Sequence, residues 1–215
     1  MRLQFIGRLA GVLALSAGLA GCIDVDAEVD VLSESTARTT MTMEITSEAS
    51  KGLETFIAGM ATQMGATPEQ MMEAMGGQSL SLEDNCEDGV GSATPDGGSK
   101  CVVTTEGTFD ELNADGEGPT IEALGGGRVK VTLPIEELKQ AGEESGAEQM
   151  PDEEIFTQLF ENHFITIRVR GQEIVESNMT VAGDKKSAEY KIPSLELMQG
   201  KLELDEDLYA IVRVK

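Results

Sequence analysis

The stretch Asp24-Val25-Asp26-Ala27-Glu28-Val29-Asp30-Val31 decides the fold. Acidic and apolar residues alternate through it without a break. A period of two belongs to a strand with one dry face and one wet face. Val25, Ala27, Val29 and Val31 are expected to face a core, and Asp24, Asp26, Glu28 and Asp30 to face water. A row of carboxylates invites a calcium reading, but this one lacks the turn glycine and oxygen spacing of a calcium loop. It reads as the solvated face of a strand.

Downstream, Thr36 to Ile45 repeats the alternation, with Thr39, Met41, Met43 and Ile45 on one face. Ser33-Glu34-Ser35 supplies a hairpin turn between the two strands. The period then changes. Leu53, Phe56, Ile57, Met60, Ala61 and Met64 fall at i, i+3, i+4, i+7, i+8 and i+11, which is one face of a helix. Gly65 stops it. Thr67-Pro68-Glu69-Gln70 starts a second helix, with Thr67 as N-cap, Pro68 at the first helical position and Gln70 closing a capping box. Met71, Met72 and Met75 are its apolar residues, and Gly76-Gly77 ends it.

Residues 83–100 read as a loop closed by cysteines. Strands are expected at Cys101–Phe109 and Arg128–Leu133, separated by a glycine-rich turn region, 113–127. Ile135 to Ala141 suits a short helix, 142–149 a mobile surface loop, and Asp152 caps a helix bearing Ile155, Phe156, Leu159 and Phe160. Strand patterns return with Ile165, Ile167 and Val169, a turn at Gly171, then Ile174-Val175. Ala188, Tyr190 and Ile192 alternate next, and Leu208, Ala210, Val212 and Val214 close the chain. Strands, then helices, then strands predict an α+β domain. The expected architecture is a largely antiparallel sheet with two to four short helices packed on one face.

Upstream of the first strand lies a leader. Arg2 and Arg8 provide its positive region, and Leu9 to Ala20 its apolar region. That run is about 12 residues, too short to cross a bilayer that needs about 20. The organisation read from this is a signal peptide, 1–21, and one acidic domain, 22–215. The leader ends in Leu19-Ala20-Gly21-Cys22, which resembles the lipobox of bacterial lipoproteins. The resemblance implies a diacylglyceryl group on the Cys22 thiol, cleavage before it, and acylation of the new amine. One acyl chain binds a membrane marginally, while two or three hold nearly permanently, at about 0.8 kcal/mol per buried CH₂. Enterobacterial lipoproteins kept in the inner membrane usually carry aspartate after the cysteine. Ile23 stands there, which favours an outer-membrane, periplasm-facing location, while Asp24 one place later keeps the inner membrane open.

The leader carries two of the 16 basic residues and none of the 39 acidic ones, so its removal leaves 14 against 39, a formal charge of −25. Such a charge argues strongly against a nucleic-acid partner, whose binding relies on basic contacts to phosphate. It is repelled by anionic headgroups, so the acyl anchor is its expected link to a membrane. With Cys22 assigned to lipid, Cys86 and Cys101 remain, an even pair in an oxidising compartment. They are expected to form a disulfide. Two cysteines without a neighbouring histidine make a poor zinc site.

The segment Gly171-Gln-Glu-Ile-Val-Glu-Ser-Asn178, followed by Ala188-Glu-Tyr-Lys-Ile-Pro193, resembles part of the LppM-like lipoproteins. So does a first strand that begins soon after a lipidated cysteine. The aromatic of the second motif is commonly Trp in that family and is Tyr190 here. The turn after the first strand is often Asp-Gly-rich there and is Ser33-Glu34-Ser35 here. The resemblance implies an α+β envelope domain with lipid-related or apolar-ligand binding. It implies no catalytic residues.

No catalytic set is assigned, and no metal or cofactor is expected. The single histidine, His163, falls between a helix and a strand with no nucleophile motif near it. HExxH, Gly-x-Ser-x-Gly and a phosphate-cradling glycine loop are all missing. The methionines stand out instead. Met41, Met43, Met60, Met64, Met71, Met72 and Met75 crowd one stretch. Core packing accounts for them. So does an adaptable apolar groove, because methionine re-packs around varied partners. Thioethers also select Cu(I), though such sites favour His or Cys nearby. The reading carried forward is a non-catalytic binding module, with an apolar groove of Met41, Met43, Phe56, Met60, Met64, Met71 and Met75 for a lipid-like ligand. The alternative is a structural or interaction partner in an envelope protein assembly.

Overall fold

Every strand named from alternation forms. The computed structural model describes residues 23–70, 81–86, 88–114, 118–144, 157, 161–204 and 206–214. Its strands are β1 (Ile23–Val31), β2 (Thr36–Ile45), β3 (Val90–Ala93), β4 (Ser99–Thr108), β5 (Thr120–Ala123) and β6 (Arg128–Leu133). They continue with β7 (Phe164–Arg170), β8 (Glu173–Ser177), β9 (Thr180–Val181), β10 (Ser187–Pro193) and β11 (Leu208–Arg213). The helices are α1 (Ser47–Met64), α2 (Phe109–Leu112), α3 (Ile135–Glu144) and α4 (Ser194–Met198). The class is α+β and strand-dominated. Among the described residues, no helix is long and apolar enough to cross a membrane.

The strands make two sheets, where the pattern predicted one. Seven run in the order β3-β4-β2-β1-β7-β10-β9, and four in the order β5-β6-β11-β8. β1 is the middle strand of the larger sheet. It pairs antiparallel with β2 and parallel with β7, so that sheet is mixed. Alternation reveals which face of a strand is dry but not which strand lies beside it, so neither the division nor the parallel pair was legible. The expected turn joins β1 to β2. The Ser33 hydroxyl accepts the Thr36 and Ser35 N–H groups at 3.0 and 3.2 Å.

One buried cluster includes residues of both sheets. Val25, Val29 and Val31 of β1 enter it with Ile165, Ile167 and Val169 of β7. The smaller sheet contributes Ile121, Val129, Val131, Ile174, Ala210 and Val212. Gly171, between β7 and β8, marks a close approach. A Cβ placed there would lie 2.2 Å from a Val212 methyl, and Val212 is fully buried. The chain returns to the larger sheet through Ser177-Asn178-Met179. Ser177 donates its hydroxyl to the Tyr209 carbonyl at 2.6 Å. The Asn178 amide bridges the Asp207 carbonyl and the Tyr209 N–H at 2.9 and 2.8 Å. The Ser-Asn pair thus fastens the β8 turn to the start of β11.

The stop at Gly65 and the start at Thr67 hold, and the structure adds an N-cap for α1 that the sequence reading did not name. The Thr46 side chain caps α1 by accepting the Ala49 N–H at 3.1 Å, and Gly65 ends it with φ at 66°. That left-handed conformation favours glycine. The capping box of the next helix forms, with the Thr67 N–H donating to the Gln70 side chain at 2.9 Å and the Gln70 N–H to the Thr67 hydroxyl at 3.3 Å. The expected end of that helix at Gly76-Gly77 and most of the helix capped by Asp152 lie outside the described residues.

Three boundaries differ from the sequence reading. The cysteine-closed loop contains a hairpin, β3 against β4. The glycine-rich region contains β5, whose Ile121 is buried. The expected loop from 142 is helical as far as Glu144. Four-residue strands with one buried side chain or none leave too little pattern to read. The disulfide between Cys86 and Cys101 is present, with Cα atoms 5.4 Å apart, and ties the approach to β3 onto β4.

Replacing both cysteines by alanine should lower stability by about 3 kcal/mol, the loop-entropy value for a span of this size. Urea unfolding of the oxidised protein and the double variant checks it. Gly171→Ala should destabilise by about 1–3 kcal/mol through overpacking against Val212, read in the same assay.

Candidate functional site

The acidic row of β1 lies on the outer face of the larger sheet, and the neighbouring strands meet it with cations. Parallel pairing sets Glu28 beside Arg168 and Asp30 beside Arg170. On the far side of β7, Arg168 faces Glu189 of β10. The guanidinium donates to Glu189 at 2.7 and 3.1 Å and lies 3.2 Å from Asp26 and 3.5 Å from Glu28. One cation therefore serves three carboxylates. The hydrogen bonds to Glu189, which outweigh burial, hold Arg168 above its usual pKa, with the Asp26 charge adding to them. It stays charged at every physiological pH.

The pattern extends outward from this centre. Arg170 stands 3.6 Å from Glu28. Arg38 of β2 pairs with Glu106 of β4 at 2.7 Å, and Lys100 lies 3.7 Å from Glu44. Cross-strand pairs of opposite charge each contribute roughly 0.2–1 kcal/mol. Together they let an acidic strand occupy the middle of a sheet.

At the start of β1 the register sets two like charges opposite each other, Asp24 against Glu44. Such a pair is unfavourable unless each finds a partner. Asp24 accepts from the Phe164 N–H at 3.2 Å and meets His163 Nδ1 at 3.3 Å. Burial of the Asp24 carboxyl opposes its charge, but the His163 and Phe164 contacts outweigh burial and lower its pKa. The lone histidine thus pins β1 to the start of β7.

This end of the outer face is concave, enclosing about 540 Å³. Its lining includes Asp24, Glu44, Lys100, Phe164, Arg168 and Lys191. Threonines of β2 and β7 make up part of its floor. The surface can pair with groups of either charge and with hydrogen-bonding groups.

Asp24 and His163 suggest two members of a hydrolytic triad, and Ser194 is near, its N–H donating to the His163 carbonyl at 3.0 Å. The third link does not form. The Ser194 hydroxyl is buried and has no hydrogen-bond partner, so it does not bond the imidazole. A nucleophile must reach both base and substrate. Among the described residues, no cluster of three or more His, Cys, Asp or Glu side chains suits a metal ion.

The expected groove residues divide. Met41 and Met43 are buried on the inner face of β2, at 4% and 9% exposure. Met64 is 73% exposed at the end of α1, although it was placed on the helix's apolar face. Ile57 and Ala61 of that helix are buried. Phe56 and Met60 belong to α1, while Met71 and Met75, like Cys22, lie outside the described residues. Sequence reasoning missed the concave face. Its signal was available in Arg168-Val169-Arg170, which alternates in phase with Asp26, Glu28 and Asp30.

No family model matches the chain, and no curated protein matches it. Among solved structures, the chain is similar to the folded domain of the Mycobacterium tuberculosis LppM protein, determined by NMR. The match has 11% identity and a TM-score of 0.41, covering 90% of this chain and 91% of that one.

Arg168→Gln should destabilise the protein by about 1–2 kcal/mol, because three carboxylates lose their shared cation. Urea unfolding at neutral pH reads it. Because the Asp24 pKa is lowered on folding, its stabilising contribution is complete above the ordinary aspartate range, about pH 4. The contribution disappears as pH falls through the lowered value. The stability gap between the wild type and Asp24→Asn should therefore be widest at neutral pH and close in acid, as measured by unfolding from pH 7 down to 2.5.

Proposed function

We propose that this chain is a bacterial envelope lipoprotein in which lipid on Cys22 tethers a non-catalytic interaction module. The module meets its partner through the charged outer face of the seven-stranded sheet. The observation that carries the reading is the place of β1. It opens at Ile23, next to the lipidation cysteine, and runs through the middle of the sheet. A lipid there would be joined to the core of the body with no linker. Ile23 after the cysteine favours the outer membrane, with the body facing the periplasm.

The polar groups near this face are held within the protein. His163 is committed to Asp24, the Ser194 hydroxyl is enclosed, and Arg168 is shared among carboxylates. Support for an interaction surface comes from its build. It carries both charges on strands at the centre of the sheet and extends to Arg38 and Arg170, at the end away from Cys22. A partner of complementary charge would bind it in a salt-sensitive way, since charges more than about 10 Å apart are screened at 0.1 M salt.

A second reading gives the inner side to a lipid-like or apolar ligand. The observation favouring it is that Ile57 and Ala61 of α1 share one buried cluster with Met41 and Met43, while Met64 stands exposed at the helix end. In this reading α1 covers the inner face of the sheet, and a ligand enters beside Met64.

Cys22→Ser should move the full-length protein from the membrane fraction to the soluble fraction, with loss of the diacylglyceryl mass from the purified product. Retention on the membrane would contradict the tether. Crosslinking in cells at low and at high salt separates the two binding readings. Capture of a partner at low salt that Arg38→Glu abolishes supports the outer face. An apolar ligand retained through native mass spectrometry, with no partner captured, supports the inner one.

A further inference from the structure

Two features coincide at one end of the larger sheet: the chain enters it there from Cys22, and an exposed aromatic ring lies there. Consecutive Cα atoms are about 3.8 Å apart, so a lipidated Cys22 would be one peptide unit from the first strand residue. With no linker, the acyl chains decide which end of the sheet meets the bilayer. The register identifies that end. The start of β1 lies beside the end of β2 and the start of β7, and the start of β7 beside the end of β10.

Phe164 opens β7 on the outer face and is 38% exposed. Lys100 and Lys191 line the same concavity. An apolar ring at the acyl boundary suits bilayer contact, and the two lysines, 3.7 Å from Glu44 and 3.8 Å from Glu189, have stems long enough to reach headgroup phosphate. Asp24 and Glu44 share this end, so it is not a cationic patch. Charge alone would not bring the body down to anionic lipid, and the tether must do so.

We infer that the end of the sheet where β1 starts is a membrane-contact surface whose partner is a phospholipid headgroup layer. The strands stand steeply on the bilayer and Phe164 enters the interface. The inference rests on the lipidation of Cys22 proposed above.

The chain contains no tryptophan, so one substitution makes a single reporter. Phe164→Trp places it at the contact end. Leu32→Trp places it at an exposed position just past the far end of β1, roughly 26 Å away at strand rise. Each full-length lipidated variant is reconstituted into phosphatidylcholine vesicles carrying nitroxide at the headgroup. Circular dichroism verifies folding, and Lys191→Trp replaces Phe164→Trp if that variant does not fold. The expected result is quenching several-fold stronger at Phe164→Trp than at Leu32→Trp, with blue-shifted emission. Equal quenching, or stronger quenching at Leu32→Trp, overturns the inference. Vesicle flotation keeps the two claims apart. Protein that floats with an unquenched contact-end reporter overturns the orientation and leaves the tether standing. Protein that does not float overturns both.

Discussion

The fold depends on holding an acidic strand in the middle of a sheet. β1 brings four carboxylates to its outer face, in a chain already strongly negative. Its inner face is valine-rich and belongs to the core. Hydrophobic burial selects β1 for the centre, and the charges on its back must then be neutralised where they stand. β7 does this by pairing parallel to β1 with its arginines in phase, so that Arg168 reaches Asp26, Glu28 and, across β7, Glu189. A one-residue slip of that register would turn the arginines inward and the isoleucines outward. The polar pairing and the apolar packing therefore enforce the same register. Each ion pair is worth little alone, and the network has meaning because both sides of the strand agree on it.

The same strand links fold to location. It begins at Ile23, directly after Cys22, so an anchor on Cys22 would attach to the most central element of the larger sheet. A tether of this kind restricts the tilt of the body as well as its distance from the lipid. With the tether proposed above, the concave end of the outer face would lie toward the membrane. His163 contributes by tying Asp24, the second strand residue, to the start of β7.

Much of this was legible in the residues. Period-two alternation located β1, β2, β6, β7, β10 and β11, because each places several apolar side chains on one face. Gly65 at the end of α1 and the Thr67–Gln70 capping box have local signatures that depend on no distant partner, while the Thr46 cap went unread. The cysteine pair followed from counting. What escaped was of two kinds. Short elements such as β5 and α2 carry only one or two buried residues, and β3 carries none, too few to show a period. Partnerships between distant strands escaped as well. Nothing in β1 announces that β7, more than a hundred residues later, lies beside it. The charge complement between Asp26-x-Glu28-x-Asp30 and Arg168-x-Arg170 was the one available hint, and it is visible only once the two segments are set side by side. For the methionines, composition drew attention to a stretch whose described side chains divide between buried strand positions, Met41 and Met43, and an exposed helix end, Met64.

Native-state amide hydrogen exchange on the full-length protein tests the central place of β1 most directly. Amides bonded between β1 and its neighbours β2 and β7 should exchange last, with opening free energies equal to that of global unfolding. Amides of β1 that open at lower free energy than those of the smaller sheet, while β6 and β11 keep their protection, would contradict the account.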